Sequence, residues 1–242
     1  MKGSNCSKEG KKYESTVHQV TSRCIINGTN LLFNTQTEQD LAGCRNDYDI
    51  VCNYYGYYNI PIEIKKSHAP DWTQCTLIFE NNLWKVNPNS KLPTICQDVF
   101  NNFLYYNTTQ IFNGKLPPFI NQKIEHNEWK EMKKNTSDFK DMYFDCCSHT
   151  IKQLYARKGC YYIQISNKGL YHLGNDVCNF NVPEFICPQR FRLRTKIHSA
   201  TKSSYSVSLS CQPISIDELQ PSPYSLDNIQ QLPQNLVYVN TF

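Results

Sequence analysis

The sequence predicts a mainly β protein made of small, disulfide-stapled β modules in tandem, with little helix. Three observations predict it: twelve dispersed cysteines, short β-type runs between turn residues, and a hairpin-like segment that occurs twice. The 242 residues are 40% hydrophobic and 19% charged, which is typical of one or two folded domains and excludes a disordered chain. No run approaches the about 18 consecutive apolar residues of a membrane-spanning helix, so we expect no membrane span.

The cysteines are spread along the chain, apart from the adjacent Cys146 and Cys147. They form no Cys-x-x-Cys or Cys/His spacing, so no metal site or other cofactor is predicted. Dispersed cysteines indicate a disulfide framework and an oxidising compartment. We therefore expect a secreted chain whose signal peptide has been removed; the alternative, an intracellular protein with free buried thiols, predicts fewer cysteines. Four glycosylation sequons agree with secretion, at Asn5, Asn27, Asn107 and Asn135.

Short β-type runs, bounded by Asn, Gly, Pro and Ser, occur at 48–52, 61–64, 77–79, 161–165 and 205–210. One segment, 124–134, could form a helix with Ile124, Trp129 and Met132 on one face. The chain after Lys202 contains no Lys or Arg and is rich in proline. We expect an extended or partly disordered tail in which residues 236–239 could add one strand.

Segments 75–96 and 160–178 share an order of features: a cysteine, a strand, an Asn-centred turn, Leu-Trp or Leu-Tyr, and a closing cysteine. Their turns, Asn81-Asn82 and Asn167-Lys168-Gly169, contain residues that tolerate positive φ. Each segment is therefore predicted to be a β-hairpin with a buried aromatic residue, Trp84 in the first.

The first segment has further features: Cys24, then Cys52 with Gly56-Tyr57 behind it, then Cys75, Trp84, Pro93 and Cys96. This pattern resembles the complement control (sushi) module. The resemblance implies that Cys24 pairs with Cys75 and Cys52 with Cys96. It also implies a divergent second module using Cys146 or Cys147, Cys160 and Cys178, with Tyr171 in the tryptophan position. Cys6 and Cys44 have no counterpart in that pattern, and Cys187–Cys211 would close a further loop.

The resulting organisation is a sushi-like module with an N-terminal extension at 1–96, a divergent one at 97–187, and a basic strand plus tail at 188–242. Sushi modules are binding scaffolds, found in complement regulators and in secreted immunomodulators of parasitic nematodes that bind host cytokines or their receptors. The resemblance therefore implies a secreted, glycosylated protein that occludes a protein partner such as a host cytokine or cytokine receptor.

The segment 190–198 alternates basic and other residues, which predicts a strand with two different faces. One face carries Arg190, Arg192, Arg194, Lys196 and His198, and the core face carries Phe191, Leu193, Thr195 and Ile197. Such a row of cations suits an acidic protein surface, or a polyanion such as a glycosaminoglycan or nucleic acid. The alternative is that the charges only protect a solvated or edge strand from aggregation.

A run of tyrosines, Tyr54, Tyr55, Tyr57 and Tyr58, is the second candidate partner surface, because tyrosine is enriched in interfaces. Its alternative role is filling a small β core. We find no catalytic motif: Cys147 and His149 could form a thiol pair, but bridged cysteines are the simpler interpretation, and the six histidines form no ligand set. We expect a non-catalytic binding protein, with a polyanion-binding surface protein and a secreted hydrolase as alternatives.

Overall fold

The structure, a computed structural model, describes residues 2–26, 50–54 and 58–239, with side chains described for 8–25 and 60–239. Within these residues the chain folds as a mixed α/β protein. The helices are α1 (Lys2–Thr21), α2 (Thr94–Asn107), α3 (His126–Asn135) and α4 (Thr150–Arg157). The first seven strands are β1 (Cys24–Ile26), β2 (Ile50–Tyr54), β3 (Tyr58–Lys65), β4 (Thr73–Glu80), β5 (Leu83–Val86), β6 (Met142–Cys146) and β7 (Tyr162–Ile165). They are followed by β8 (Gly169–His172), β9 (Gln189–Ser199), β10 (Ser204–Pro213) and β11 (Leu236–Tyr238).

The prediction of a mainly β protein with little helix is wrong, because the described residues contain four α-helices, from 8 to 20 residues long. In α2, Cys96, Phe100 and Leu104 recur every four residues and are buried, which is the spacing of one helix face. In α4, Ile151 and Leu154 are buried in the same way. The predicted helical segment 124–134 overlaps α3 from His126 onwards, and this helix buries Trp129.

Three sheets organise the strands. The largest is antiparallel, in the order β5-β4-β10-β9-β6, and the second is mixed, in the order β2-β3-β7-β8, with β3 and β7 parallel. The third pairs β1 with β11, so the tail returns to the N-terminal part of the chain. Both predicted hairpins form: Asn81 and Asn82 have φ of 53° and 61°, and Asn167 and Gly169 have φ of 61° and 101°.

Two buried clusters hold these layers together. The larger joins the inner face of the five-stranded sheet to α2, α3 and α4 and to one face of the four-stranded sheet, including Ile163 and Ile165. The smaller lies on the opposite face of the four-stranded sheet, where Ile62 and Tyr162 meet Val17 of α1 and Leu226 of the tail. Because neighbouring residues of a strand point to opposite faces, Tyr162 and Ile163 belong to different clusters.

The tandem-module organisation is wrong, since strands from all three predicted segments share one sheet. Strands β4 and β5 come from 1–96, β6 from 97–187, and β9 and β10 from 188–242. Each segment therefore depends on the others for its sheet partners.

The disulfide framework is also overturned for the cysteines with described side chains, since no two of the nine are joined to each other. Cys24 and Cys75 lie in different buried clusters, and so do Cys178 and Cys160. Cys187 and Cys211 are both buried but unbonded to each other. Burial raises the pKa of Cys24, Cys178 and Cys187 to about 12, so these thiols stay protonated. The side chains of Cys6, Cys44 and Cys52 lie outside the described residues, so the implied Cys52–Cys96 pairing stays a prediction.

Candidate functional site

The outer face of the five-stranded sheet carries the predicted basic row, and we call it the arginine face. Strand β9 lies between β10 and β6, so its residues have cross-strand neighbours on both sides. The residues of this face are Arg190, Arg192, Arg194 and Lys196 on β9, Ser206, Ser208, Ser210 and Gln212 opposite them on β10, and Tyr143 and Asp145 on β6. On the inner face of β9, Phe191 and Leu193 are buried, whereas Thr195 is half-buried and Ile197 is exposed.

Two of the arginines are neutralised by aspartates. The guanidinium of Arg192 donates to Oδ2 of Asp141 from Nε at 2.9 Å and from Nη2 at 2.5 Å, and its Nη1 lies 3.6 Å from Oδ1 of Asp71. Arg194 places Nη2 3.0 Å from Oδ2 of Asp71. Burial works against the charge of Arg192, but Asp141 and Asp71 outweigh it and raise the pKa of its guanidinium.

Asp71 is fixed in this position by strand β10. Its side chain is 10% exposed, and its Oδ1 accepts hydrogen bonds from Ser210 Oγ at 2.7 Å and Gln212 Nε2 at 2.8 Å. The carboxylate thus has both oxygens occupied, and the arginines that it binds are held in one arrangement.

Arg190 differs from the other two arginines, since its contacts are with neutral groups. Its Nε donates to Gln212 Oε1 at 3.0 Å, and its guanidinium carbon lies 4.1 Å from the centre of the Tyr143 ring. This is a cation–π pair, and Tyr143 is 50% exposed. Lys196 forms no ion pair with any residue in the described ranges. The edge of the face therefore presents an arginine and a tyrosine in a fixed arrangement.

The tyrosine run is in another sheet. Tyr54 and Tyr58 are opposite each other at the end of the β2–β3 hairpin, so the two predicted surfaces are not on one sheet face. Tyr55 and Tyr57 lie outside the described residues, as do the side chains of Tyr54 and Tyr58.

The sequons differ in accessibility. Asn135 is exposed at the end of α3. Asn107, at the end of α2, is half-buried and donates from Nδ2 to the Phe103 carbonyl at 2.8 Å, so one of its two amide hydrogens is engaged and its side chain is held against the helix. Asn5 belongs to α1 without a described side chain, and Asn27 is outside the described ranges.

A second charged cluster lies in the interior. The Glu63 carboxylate is buried, is paired with Lys65, and accepts from Lys158 Nζ at 2.8 Å. Both ammonium groups lie over the ring of Tyr155, at 5.4 and 5.1 Å from its centre. Burial disfavours the ionised carboxylate, but the two lysines outweigh it and hold the pKa of Glu63 below its usual value. The cluster is a buried ion network within the fold.

The remaining candidates stay separate. Cys147 is exposed and His149 half-buried, and in the part of the chain that the structure describes no hydrogen bond joins them. Over the same residues, no three His, Cys, Asp or Glu side chains are grouped to hold a metal ion. No described helix is long and apolar enough to cross a membrane.

Sequence reasoning missed Asp71, Asp141 and Tyr143. Two of them had a signal: in the segment 141–145, Asp141, Tyr143 and Asp145 alternate with the more apolar Met142 and Phe144, which is a strand pattern. Asp71 had none, because its partners lie more than 100 residues away in the sequence.

Comparison with known proteins gives this site no relatives. No protein-family model matches the chain, and neither a curated protein nor a solved structure shows significant similarity to it.

Proposed function

We propose that the chain is a non-catalytic binding protein that contacts a protein partner through the arginine face. The observation that carries this proposal is the Arg190–Tyr143 pair on a sheet face whose other arginines are held by carboxylates. Tyrosine and arginine are the residues that most often dominate the energy of protein interfaces.

The rigidity of the face supports this proposal. Side chains that are ordered before binding lose less conformational entropy when the complex forms. Arg192, Arg194 and Asp71 are all tied into hydrogen bonds in the absence of a partner. A partner that fits this arrangement would bind without reordering it.

The charge balance favours a protein partner over a polyanion. Asp71, Asp141 and Asp145 set three negative charges against the four cations of β9. A polyanion binds in proportion to the number of cations that it can reach, and the net charge of this face is only about +1. A protein surface with alternating charges would find a counterpart for each group.

Secretion and glycosylation stay predictions within this proposal, supported by the sequons. The cytokine or cytokine-receptor partner is implied by the resemblance to sushi modules and stays a prediction, although the described residues do not form disulfide-stapled tandem modules. The proposal therefore names the surface and the class of partner, a protein with a mixed-charge surface.

The test is site-specific photo-crosslinking with a benzophenone amino acid at position 143, applied to extracts and secretions of the source organism. The matched control has the same amino acid at Tyr106, which is exposed on α2. We expect one protein, other than a second copy of the chain itself, to be crosslinked from position 143 and not from 106. Its purified form should then lose at least tenfold in affinity for Tyr143→Ala or Arg190→Ala and be unaffected by Tyr106→Ala. Equal binding by all three variants would refute the proposal.

A further inference from the structure

Two of the sheet edges are covered by the protein itself. On β5, the amide of Val86 donates to Asn101 Oδ1 at 2.9 Å and that of Trp84 to Thr108 Oγ1 at 3.4 Å, so α2 and its C-terminal end cover this edge. On β8, the amides of Leu170 and His172 donate to the carbonyls of Tyr224 and Pro183 at 2.8 and 3.0 Å. An edge whose outward amides are occupied cannot accept another strand.

Strand β6 is an edge strand without such cover. It pairs with β9 on one side, and no residue of the described ranges hydrogen-bonds to the backbone groups of its other side. None of its five residues is buried: Met142, Phe144 and Cys146 are only half-buried on the inner face, although Phe191 and Leu193 beside them are 4% and 0% exposed. The strand also lacks lysine and proline, which commonly protect an edge from pairing. The outward backbone groups of β6 and the exposed parts of its half-buried apolar side chains are therefore available to an added strand, although Phe144 also packs on Phe103 and Met142 Sδ accepts from the amide of Phe112.

The residues of β6 are complementary to a second β6 in antiparallel orientation. Both copies must keep their polar faces on the same side of the joined sheet. Directly opposed residues then belong to the same face, so the allowed registers differ from one another by two residues. With Phe144 opposite itself, all five residues pair. Tyr143 then faces Asp145 of the second copy, phenol against carboxylate, while Met142 faces Cys146 across an apolar inner face.

The two neighbouring registers are worse. With Tyr143 opposite itself, Asp145 faces Asp141 of the second copy, and with Asp145 opposite itself, two carboxylates meet directly. Each of these registers also leaves three residue pairs within the strand instead of five.

From this edge we propose that two copies of the chain form a symmetric dimer by pairing β6 with β6 in the register that centres on Phe144. The pairing continues the five-stranded sheet across the two-fold axis and joins the two arginine faces. It gives the outward amides and carbonyls of β6 their hydrogen-bond partners and covers Met142, Phe144 and Cys146. The proposal is independent of what the arginine face binds.

The first measurement is the mass of the intact chain by light scattering over a concentration series. We expect a concentration-dependent rise from 28.2 kDa towards twice that value. A mass of one chain at every concentration overturns the proposal, and the occupant of the edge would then be a strand of another protein.

The register is tested with three cysteine variants, oxidised mildly and resolved on non-reducing gels. Opposed residues in neighbouring strands are close enough for a disulfide, and positions 143 and 145 are exposed, so neither change disturbs the core. The combined Tyr143→Cys/Asp145→Cys variant should form a covalent dimer reversed by reductant, whereas each single variant should stay at the level of the unsubstituted chain.

The alternatives give different patterns on the same gel. Crosslinking by Tyr143→Cys alone or by Asp145→Cys alone indicates one of the two neighbouring registers and overturns the proposed one. An equal amount of covalent dimer in all three variants and in the unsubstituted chain indicates crosslinking through a natural cysteine, such as the exposed Cys147. That result also overturns the proposed register.

Discussion

The number of free cations on the arginine face can be measured from the salt dependence of DNA binding. The perturbation is Asp71→Asn together with Asp141→Asn, which removes the two carboxylates that bind Arg192 and Arg194. Asparagine keeps an oxygen at position 71 that can still accept from Ser210 and Gln212, so the sheet should be preserved. The change should turn two neutralised arginines into cations that a phosphate backbone can reach.

The expected magnitude follows from counterion release, which gives log K against log salt a slope of about −0.9 for each phosphate neutralised on duplex DNA. With two arginines already paired, the unsubstituted face offers about one or two cations, hence a slope of about −1 to −2. Removing both carboxylates should steepen the slope by about 1.8, two cations at about 0.9 each.

The assay is fluorescence anisotropy of a labelled DNA duplex titrated with protein over a series of salt concentrations. The control variant, Asp138→Asn with Asp217→Asn, also removes two negative charges, but from the ion pairs with Lys115 and Lys168. A slope near −3.6 in the unsubstituted chain, the value for about four phosphates, would refute the reasoning and favour the polyanion alternative. An equal change of slope in the control would show that the effect is not specific to this face.

Two further predictions concern the ion network and the sequons. Lys158→Met should lower the free energy of unfolding by about 1.5–3 kcal/mol, because the buried Glu63 loses one of its two charged partners and keeps Lys65. Urea titrations should then show that Glu63→Gln costs less in this variant than in the unsubstituted chain, because the two residues are coupled. Folding lowers the pKa of Glu63, so the stability that its carboxylate contributes is fully present above the unfolded pKa of about 4.5. This stability is lost as the pH falls through the folded pKa. Acid should therefore destabilise the unsubstituted chain more than the variant that combines Lys158→Met with Glu63→Gln. On secretory expression, peptide mapping should find a glycan at Asn135 and none at Asn107, whose Nδ2 is hydrogen-bonded; a fully modified Asn107 would contradict this.

Local features of the fold could be predicted from the sequence because they depend on neighbouring residues. The alternation in 190–198 does mark a strand, and the asparagine turns at 81–82 and 167–169 do adopt positive φ. Trp84 is buried as its hairpin predicted. Helix α2 has an equally local signal, because Cys96, Phe100 and Leu104 recur every four residues. Pro93 and Cys96 also fit the end of a sushi-like module, however, and that interpretation conflicts with a helix beginning at Thr94.

The disulfide prediction failed for a different reason. The number and dispersion of cysteines indicate a class of protein, but they do not determine which thiols meet. Cys24 and Cys75 lie in clusters on different layers, because the four-stranded sheet has one buried cluster on each face. That arrangement follows from how β3 and β7 pair across about 100 residues of chain, which no local pattern encodes.

The candidate site shows the same division. From the sequence alone, the period of β9 determined that its four cations lie on one face and that Phe191 and Leu193 lie on the other, because successive side chains of a strand alternate. Only the tertiary structure decided what those cations do: it places Asp71 and Asp141 against Arg192 and Arg194, and Tyr143 against Arg190. Strand pairing brings these groups together from distant parts of the chain, so a face that the sequence describes as strongly basic is nearly neutral when folded.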